Sequence, residues 1–392
     1  GGQESSSAAM AQQLSVAVFT YSSSPSPLAA SFRCTPARCL HVPDRLPRSE
    51  CLRAVQRQQV HLPPIGVRTI GWGDPRRGYG TAFHSSDLAG AFETLCSNGL
   101  NFFDTSEVWG FQGMRLLQSS EQLLGDLSAR MPSAPIISTK FMPVPWANML
   151  AGGGIRAGRA AVVEGLRNSI ARLGVGSVDI YSVHAPLPYI GGQKALFEGM
   201  ADAHALGLCR AVGLCDFNAK QTREAHAICR SLGVPLVTNQ VRYSMFNLER
   251  ELDGTIETCL ELGVTPVAHS PLAGGLATTR LAKGGSHRAS AMRKAYPDRR
   301  LPAQLTALQS TYKAMNSVVE NGRDDRTETQ VALQFVMAKG CLPVPGVTSA
   351  NEAQEVADTL NWELGLDELH HLYDAARGLH VRRVDLPWLR KL

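Results

Sequence analysis

Residues 101–110 read NFFDTSEVWG, and this stretch decides how the rest of the chain is read. A short apolar run ends on a carboxylate, Asp104, and the sequence then turns polar. Two adjacent aromatic residues suit a strand covered on both faces. A carboxylate at the lip of such a strand is costly unless a cation or several donors face it. The chain therefore has to supply a cation nearby. Two later apolar runs also close on ionisable side chains, PIISTK on Lys140 and VDIYSVH on His184.

Outward from that stretch, apolar runs at 65–70, 100–103, 135–139, 178–183, 209–214, 236–238, 265–268 and 342–344 alternate with segments of helical periodicity. Ser119 with Gln122, and Thr327 with Gln330, have capping-box spacing, and Asn218 starts another helix. Gly99, Gly207, Gly233, Gly263 and Gly340 each stop a helix just before a strand. Eight strand–helix repeats predict an α/β fold, a (β/α)8 barrel of the TIM type, which needs about 250 residues plus insertions. A doubly wound open sheet is the rival, but no G-x-G-x-x-G follows the first strand.

Hydrophobic residues make up 44% of the chain and charged residues 19%, as in a globular protein. No apolar run is long enough to span a membrane. The net charge of +5 is spread thinly, and Arg299-Arg300 and Arg382-Arg383 are short pairs, so no nucleic-acid surface is expected. Nor does any segment identify a protein partner. The nine cysteines include no C-x-x-C pair and no zinc-type cluster. Cys96, Cys229, Cys259 and Cys341 read as small apolar filler in a reducing compartment.

Residues 1–60 differ in composition from the remainder of the chain, being rich in Ser, Ala and Pro and poor in acids. They read as an extended leader of organelle-transit type, which places the barrel at 61–392 and the protein in a plastid. Without a working leader the expected location is the cytoplasm. Two insertions interrupt the barrel pattern. Residues 142–158 contain Gly152-Gly153-Gly154, but no Lys-Ser/Thr follows as a phosphate loop requires. Residues 282–326 form a basic excursion in which Leu305, Leu308, Tyr312, Met315 and Val319 share one helical face.

Barrel enzymes carry their chemistry at the carboxyl ends of the strands. Asp104, Lys140 and His184 would then stand at three successive strand ends, with neighbouring strands roughly 5 Å apart. Asp104 and Lys140 would neutralise each other and orient whatever lies between them.

With these positions in view, the chain resembles the aldo-keto reductases over residues 65–375. The matching stretches are GVRTIGWGD (66–74), NFFDTSEVWG, SSEQLLG (119–125), STKF (138–141), RLGVGSVDIYSVHAP (172–186), CRAVGLCDFN (209–218), TNQVRYS (238–244), VAHSPLAGGL (267–276) and LPVPGVTSANEA (342–353). The leader and PVPW (143–146) make it most similar to the plastid members of plants and algae, a group that includes pyridoxal reductase-like enzymes. The resemblance implies hydride transfer from NADPH, with NADH still open, to a small aldehyde or ketone. It also implies four catalytic positions: Asp104, Lys140, His184 and, where the family has Tyr, Trp109.

An indole N–H donates a hydrogen bond but is no general acid, so the expected proton source moves to His184 or a water beside it. Around the nicotinamide the resemblance assigns Gly71, Trp72, Cys215, Asp216, Gln240 and His269. Cys215-Asp216 stand where the family has Ser-Asn, and His269 where it has a larger ring. It assigns Ser270, Pro271, Leu272, Gly275 and Arg280 to the pyrophosphate. Gly346, Thr348, Ser349, Glu352 and Glu355 fall to the adenosine end, with Thr348 in place of a usual cation. The rival reading of these departures is an NADP(H)-binding barrel with little turnover.

Overall fold

The computed structural model describes residues 60–110, 118–144, 155–275, 277–278, 301–322 and 326–384. The leader, Arg280 and the Gly152-Gly153-Gly154 run lie outside these residues. Eight parallel strands follow one another in chain order: β1 (Val67–Arg68), β2 (Phe102–Asp104), β3 (Ile136–Phe141), β4 (Val178–Val183), β5 (Cys209–Cys215), β6 (Leu236–Arg242), β7 (Thr265–His269) and β8 (Leu342–Val344). Backbone bonds from Gly66 N to Pro343 O (3.0 Å) and from Arg68 N to Pro345 O (2.9 Å) join the last strand to the first. The sheet is thereby a barrel, as the repeat pattern predicts.

Between the strands run α1 (Ser85–Ser97), α2 (Ser120–Ser128), α3 (Gly158–Leu173), α4 (Gly192–Ala205), α5 (Ala219–Ser231), α6 (Glu249–Leu252), α7 (Thr255–Glu261), α8 (Leu301–Asn321), α9 (Glu328–Ala338), α10 (Ala350–Asp358) and α11 (Leu366–Val384). All three expected caps form. Gln122 N donates to Ser119 Oγ, Gln221 N to Asn218 Oδ1 and Gln330 N to Thr327 Oγ1, and each is reciprocated. The five stop glycines all take left-handed backbone, with φ between 68° and 75°. Within the second insertion, α8 places Met315 in the core and tilts the Tyr312 ring against Phe246 at 5.6 Å. The side chains of Leu305 and Leu308 lie outside the described residues.

The alternation in β2 shows how the barrel builds its mouth. Phe102 points inward and forms the apolar floor with Ile180, Val267, Leu342 and Val344. A Cβ on Gly66 would collide with the Phe102 ring, so β1 approaches the floor only as glycine. Phe103 points outward and stacks on Phe92 of α1 at 4.6 Å. Asp104 points inward again, one layer above the floor.

Several strands run further than their apolar runs suggest. β2 includes Asp104, β3 reaches Phe141, β6 reaches Arg242 and β7 includes His269. At β2, β6 and β7 the ladder continues where the side chains turn polar, because that layer lines the mouth, and at β3 it ends on the core residue Phe141. β1 is shorter than expected, two residues instead of six. Pro63 and Pro64 supply no N–H before it, and Thr69 N already bonds across to Asp104 O at 2.9 Å.

Candidate active site

Asp104 and Lys140 meet as the sequence requires. Lys140 Nζ donates to Asp104 Oδ1 at 2.5 Å and to the Thr105 carbonyl at 2.9 Å, and both side chains are 1% exposed. The ammonium also lies over the Trp109 ring, 4.3 Å from its centroid. Two hydrogen bonds and an aromatic face thus surround the group. Burial pulls Lys140 below its ordinary pKa, and the charge of Asp104 pulls it back up.

His184 follows β4, and its backbone N bonds to Phe141 O at 2.9 Å, which ties the two strand ends together. Its ring meets Trp109 edge to face, with centroids 5.8 Å apart. Lys140, held by Asp104, and His184 therefore converge on one side chain, Trp109. His184 Nδ1 sits 2.9 Å from Ser106 Oγ, and that oxygen accepts from Val108 N at 3.4 Å. In the tautomer that carries its proton on Nε2, the Ser106 hydroxyl donates to Nδ1 while its oxygen accepts from Val108 N. Burial, then the charges of Lys140 and Arg68, push His184 well below the usual histidine pKa. Near neutrality it is a neutral ring with one N–H to offer.

The opposite rim is built by β5, β6 and β7. Asp216 Oδ1 and His269 Nε2 are 3.2 Å apart, and His269 Nδ1 is 3.2 Å from Ser270 Oγ. Burial would raise the Asp216 pKa, but the His269 bond and the charges of His269, Arg250 and Arg68 hold it below the usual value. Cys215 Sγ approaches Gln240 Oε1 at 3.8 Å, and burial pushes its thiol up. Among the described residues, the positive-φ residues other than glycine are Asp216 (61°), Ser270 (56°) and Ala273 (48°). All three follow β5 or β7 at this rim, where backbone strain commonly marks a binding site.

Of the remaining expected positions, Gly71, Ser270, Leu272 and Gly275 are partly buried, Pro271 is buried and Gly346 is open to solvent. Trp72 is 1% exposed and donates from Nε1 to Val347 O at 3.0 Å, so its indole braces the loop after β8 instead of presenting a face. At the start of α10, Ser349 caps the helix while the Glu352 carboxylate accepts from Thr348 N at 2.8 Å and Thr348 Oγ1 at 2.9 Å. Glu355 accepts from Thr327 Oγ1 at 2.7 Å and so belongs to the cap of α9.

Four features escaped the sequence reading. Arg68 places its Cζ over the Trp109 ring, 4.8 Å from the centroid. Its signal was a lone cation inside an apolar run. Ser106, two residues beyond Asp104, places its Oγ 2.9 Å from His184 Nδ1. Glu107 pairs with Arg156 at 2.6 and 2.8 Å and accepts from Met142 N at 2.6 Å, clamping the loops after β2 and β3. Glu121, fully buried, accepts from Thr139 Oγ1 at 2.5 Å and from Arg172 Nε at 2.6 Å. Neither of these last two pairs had a local signal, since their partners are 49 and 51 residues away.

Among the described residues no group of His, Cys, Asp and Glu has the makings of a metal site, and no helix is long and apolar enough to cross a membrane. The described cysteines are unpaired, and Cys209, Cys215, Cys229, Cys259 and Cys341 are buried, as small apolar filler would be.

A parallel barrel with a buried Asp–Lys pair and a neutral histidine at its mouth is the arrangement that the resemblance to the aldo-keto reductases implies. This chain belongs to the aldo/keto reductase family, whose sequence model matches residues 65–376. It is similar to the chloroplastic pyridoxal reductase of Arabidopsis thaliana, 28% identical over 343 residues that cover 86% of this chain and 89% of that one. Among solved structures it is similar to a glycerol dehydrogenase of Gluconobacter oxydans, with a TM-score of 0.64, 20% identity and coverage of 81% and 92%. It is also similar to an aldo-keto reductase of Bombyx mori solved in complex with NADP, with a TM-score of 0.58, 19% identity and coverage of 81% and 90%. At these identities the two structures speak for the fold.

Proposed function

We propose that this chain is an NADP(H)-dependent reductase of a small aldehyde or ketone, located in a plastid. The observation that carries the reading is the convergence of Lys140, on its buried Asp104, and His184, on Ser106, around one indole. When bound, NADPH supplies a hydride. The rim fits such a cofactor at β5 to β7, where Gln240 and Asp216 offer amide and carboxylate partners and strained backbone lines the following loops. At α10 the fit is weaker, because Glu352 holds the donors that a 2′-phosphate would need. A poor preference for NADPH over NADH is the expected result.

His184 Nε2–H donates to the carbonyl oxygen and favours negative charge developing there. The Lys140 ammonium adds a positive field, while Asp104, Thr105 and the Trp109 face engage it. Trp109 has no acidic proton, so the alkoxide takes its proton from the small imidazolium fraction of His184 or through water at Nε2.

A second reading, a barrel that binds NADP(H) and turns over little, is favoured by Trp109 and by the Asp216–His269 pair. One sample separates the two: NADPH binding followed by fluorescence, beside NADPH oxidation across a panel of aldehydes and ketones. Turnover of any carbonyl at above about 1 per second, a low value for an enzyme, supports the reductase. Binding with no turnover sinks it in favour of the second reading.

A further inference from the structure

Arg68 is a half-buried cation at the barrel mouth that hydride and proton transfer do not use. It ends β1 in register with Asp104 and faces the same mouth. Its Nε is buried with no partner, and among the described residues no hydrogen bond or ion pair engages its guanidinium. Asp104 Oδ2 is likewise buried and unpartnered, while Lys140 holds the other oxygen. The Asp104 and Lys140 charges balance each other, and Asp216 has His269 as its hydrogen-bond partner, so Arg68 is a positive charge at the rim with no carboxylate bonded to it. Burial pulls the guanidinium below its ordinary pKa and the nearby Asp104 raises it again, yet the group stays charged at any physiological pH. An apolar side chain would fill this place without that desolvation cost, so packing alone does not account for an arginine.

We propose that Arg68 docks an anionic substituent, a carboxylate or a phosphate, on the carbonyl compound, which makes the substrate a small oxo acid or a phosphorylated aldehyde. The assignment rests on the carbonyl-reductase reading above. Arg68 stands over the Trp109 face and His184 meets the edge of the same ring. A carbonyl at His184 Nε2 and an anion at Arg68 are thus held across one indole, which fits a short chain between the two groups. The planar guanidinium offers a bidentate seat that lysine would not.

The test compares matched pairs on the full chain: succinic semialdehyde with butanal for the carboxylate, and glyceraldehyde 3-phosphate with glyceraldehyde for the phosphate. The charged member of one pair is expected to have a kcat/KM at least about tenfold higher. Arg68→Met should bring that ratio towards one, chiefly through KM, and Arg68→Lys should fall between. Independently of turnover, oxalate or inorganic phosphate should perturb tryptophan fluorescence saturably, with the Kd weakened about tenfold or more in Arg68→Met. Equal kcat/KM within both pairs, or an unaltered Kd for both anions in Arg68→Met, overturns the proposal. So does a loss of NADPH affinity in Arg68→Met larger than the loss of anion affinity, which would assign the guanidinium to the cofactor. Arg68-dependent anion binding with no turnover of any carbonyl would support the anion seat and overturn the reductase reading. If Arg68→Met does not fold, Arg68→Lys carries the same comparison.

Discussion

Glu107 and Asp104 are three residues apart on the same strand exit, and both are buried carboxylates facing a cation. Their surroundings differ. Glu107 has both oxygens filled, by the two Arg156 nitrogens and by Met142 N. Asp104 has one oxygen on Lys140 and the other on nothing, with the Arg68 Nε equally unmatched in the neighbouring strand. A saturated charge pair holds two loops together and has no capacity left for anything else. An unsaturated one carries a desolvation cost that a bound molecule relieves. The clamp reads as scaffold and the rim as site.

The largest effect expected from breaking this contrast is on the clamp. Arg156→Met strands a buried carboxylate and should cost about 3–5 kcal/mol in urea unfolding, whereas the double variant Glu107→Gln/Arg156→Met should recover much of it. If the single variant costs under about 1 kcal/mol, as an exposed pair would, the clamp is not structural.

Next in size is the rim itself. Trp109→Tyr puts a phenol beside Lys140 and should raise carbonyl reduction about 100-fold or more, the scale of a positioned general acid. No gain in a variant that folds and binds NADPH would mean that the proton already arrives by an efficient route.

The pH profile sharpens the same point. Because the His184 pKa lies well below its ordinary value, the imidazolium fraction is small near neutrality and grows about tenfold for each unit of acidification. If that fraction delivers the proton, kcat should climb steadily from pH 8 to 6, and Trp109→Tyr should flatten the climb. The sign for stability is the opposite. The unfolded chain binds the proton at about pH 6.5 while the folded site resists it, so His184 contributes stability above that pH, and the contribution is lost on acidification.

The smallest effect is expected at Ser106. Ser106→Ala frees His184 Nδ1 and should cost about 1 kcal/mol, roughly fivefold in kcat, with little change in KM. A larger change in KM than in kcat would mean that Ser106 positions the substrate and not the tautomer.

The barrel was legible because its signals are local: capping boxes at Ser119 and Thr327, stop glycines, and apolar runs that alternate with them. The Asp104–Lys140 meeting was legible because one buried carboxylate demands a cation and adjacent strands offered it. What stayed hidden is non-local. Strand ends were read short at β6 and β7, since polar residues that line a mouth look like loop in sequence. Trp72 was expected at the cofactor, yet its indole lies inward and bonds to Val347. The Glu107–Arg156 clamp depends on two loops folding back on each other, which no spacing announces. Arg68 was visible but had no meaning until its partners could be seen to be missing.

The seam between β8 and β1 has a consequence for synthesis. The bonds that close it, Gly66 to Pro343 and Arg68 to Pro345, and the Trp72–Val347 contact that braces it join positions 275 residues apart or more. A nascent chain therefore shows a bare β1 edge to its surroundings until nearly the whole protein has left the ribosome. That order of synthesis leaves an open strand edge that stays exposed to wrong pairing until the barrel closes.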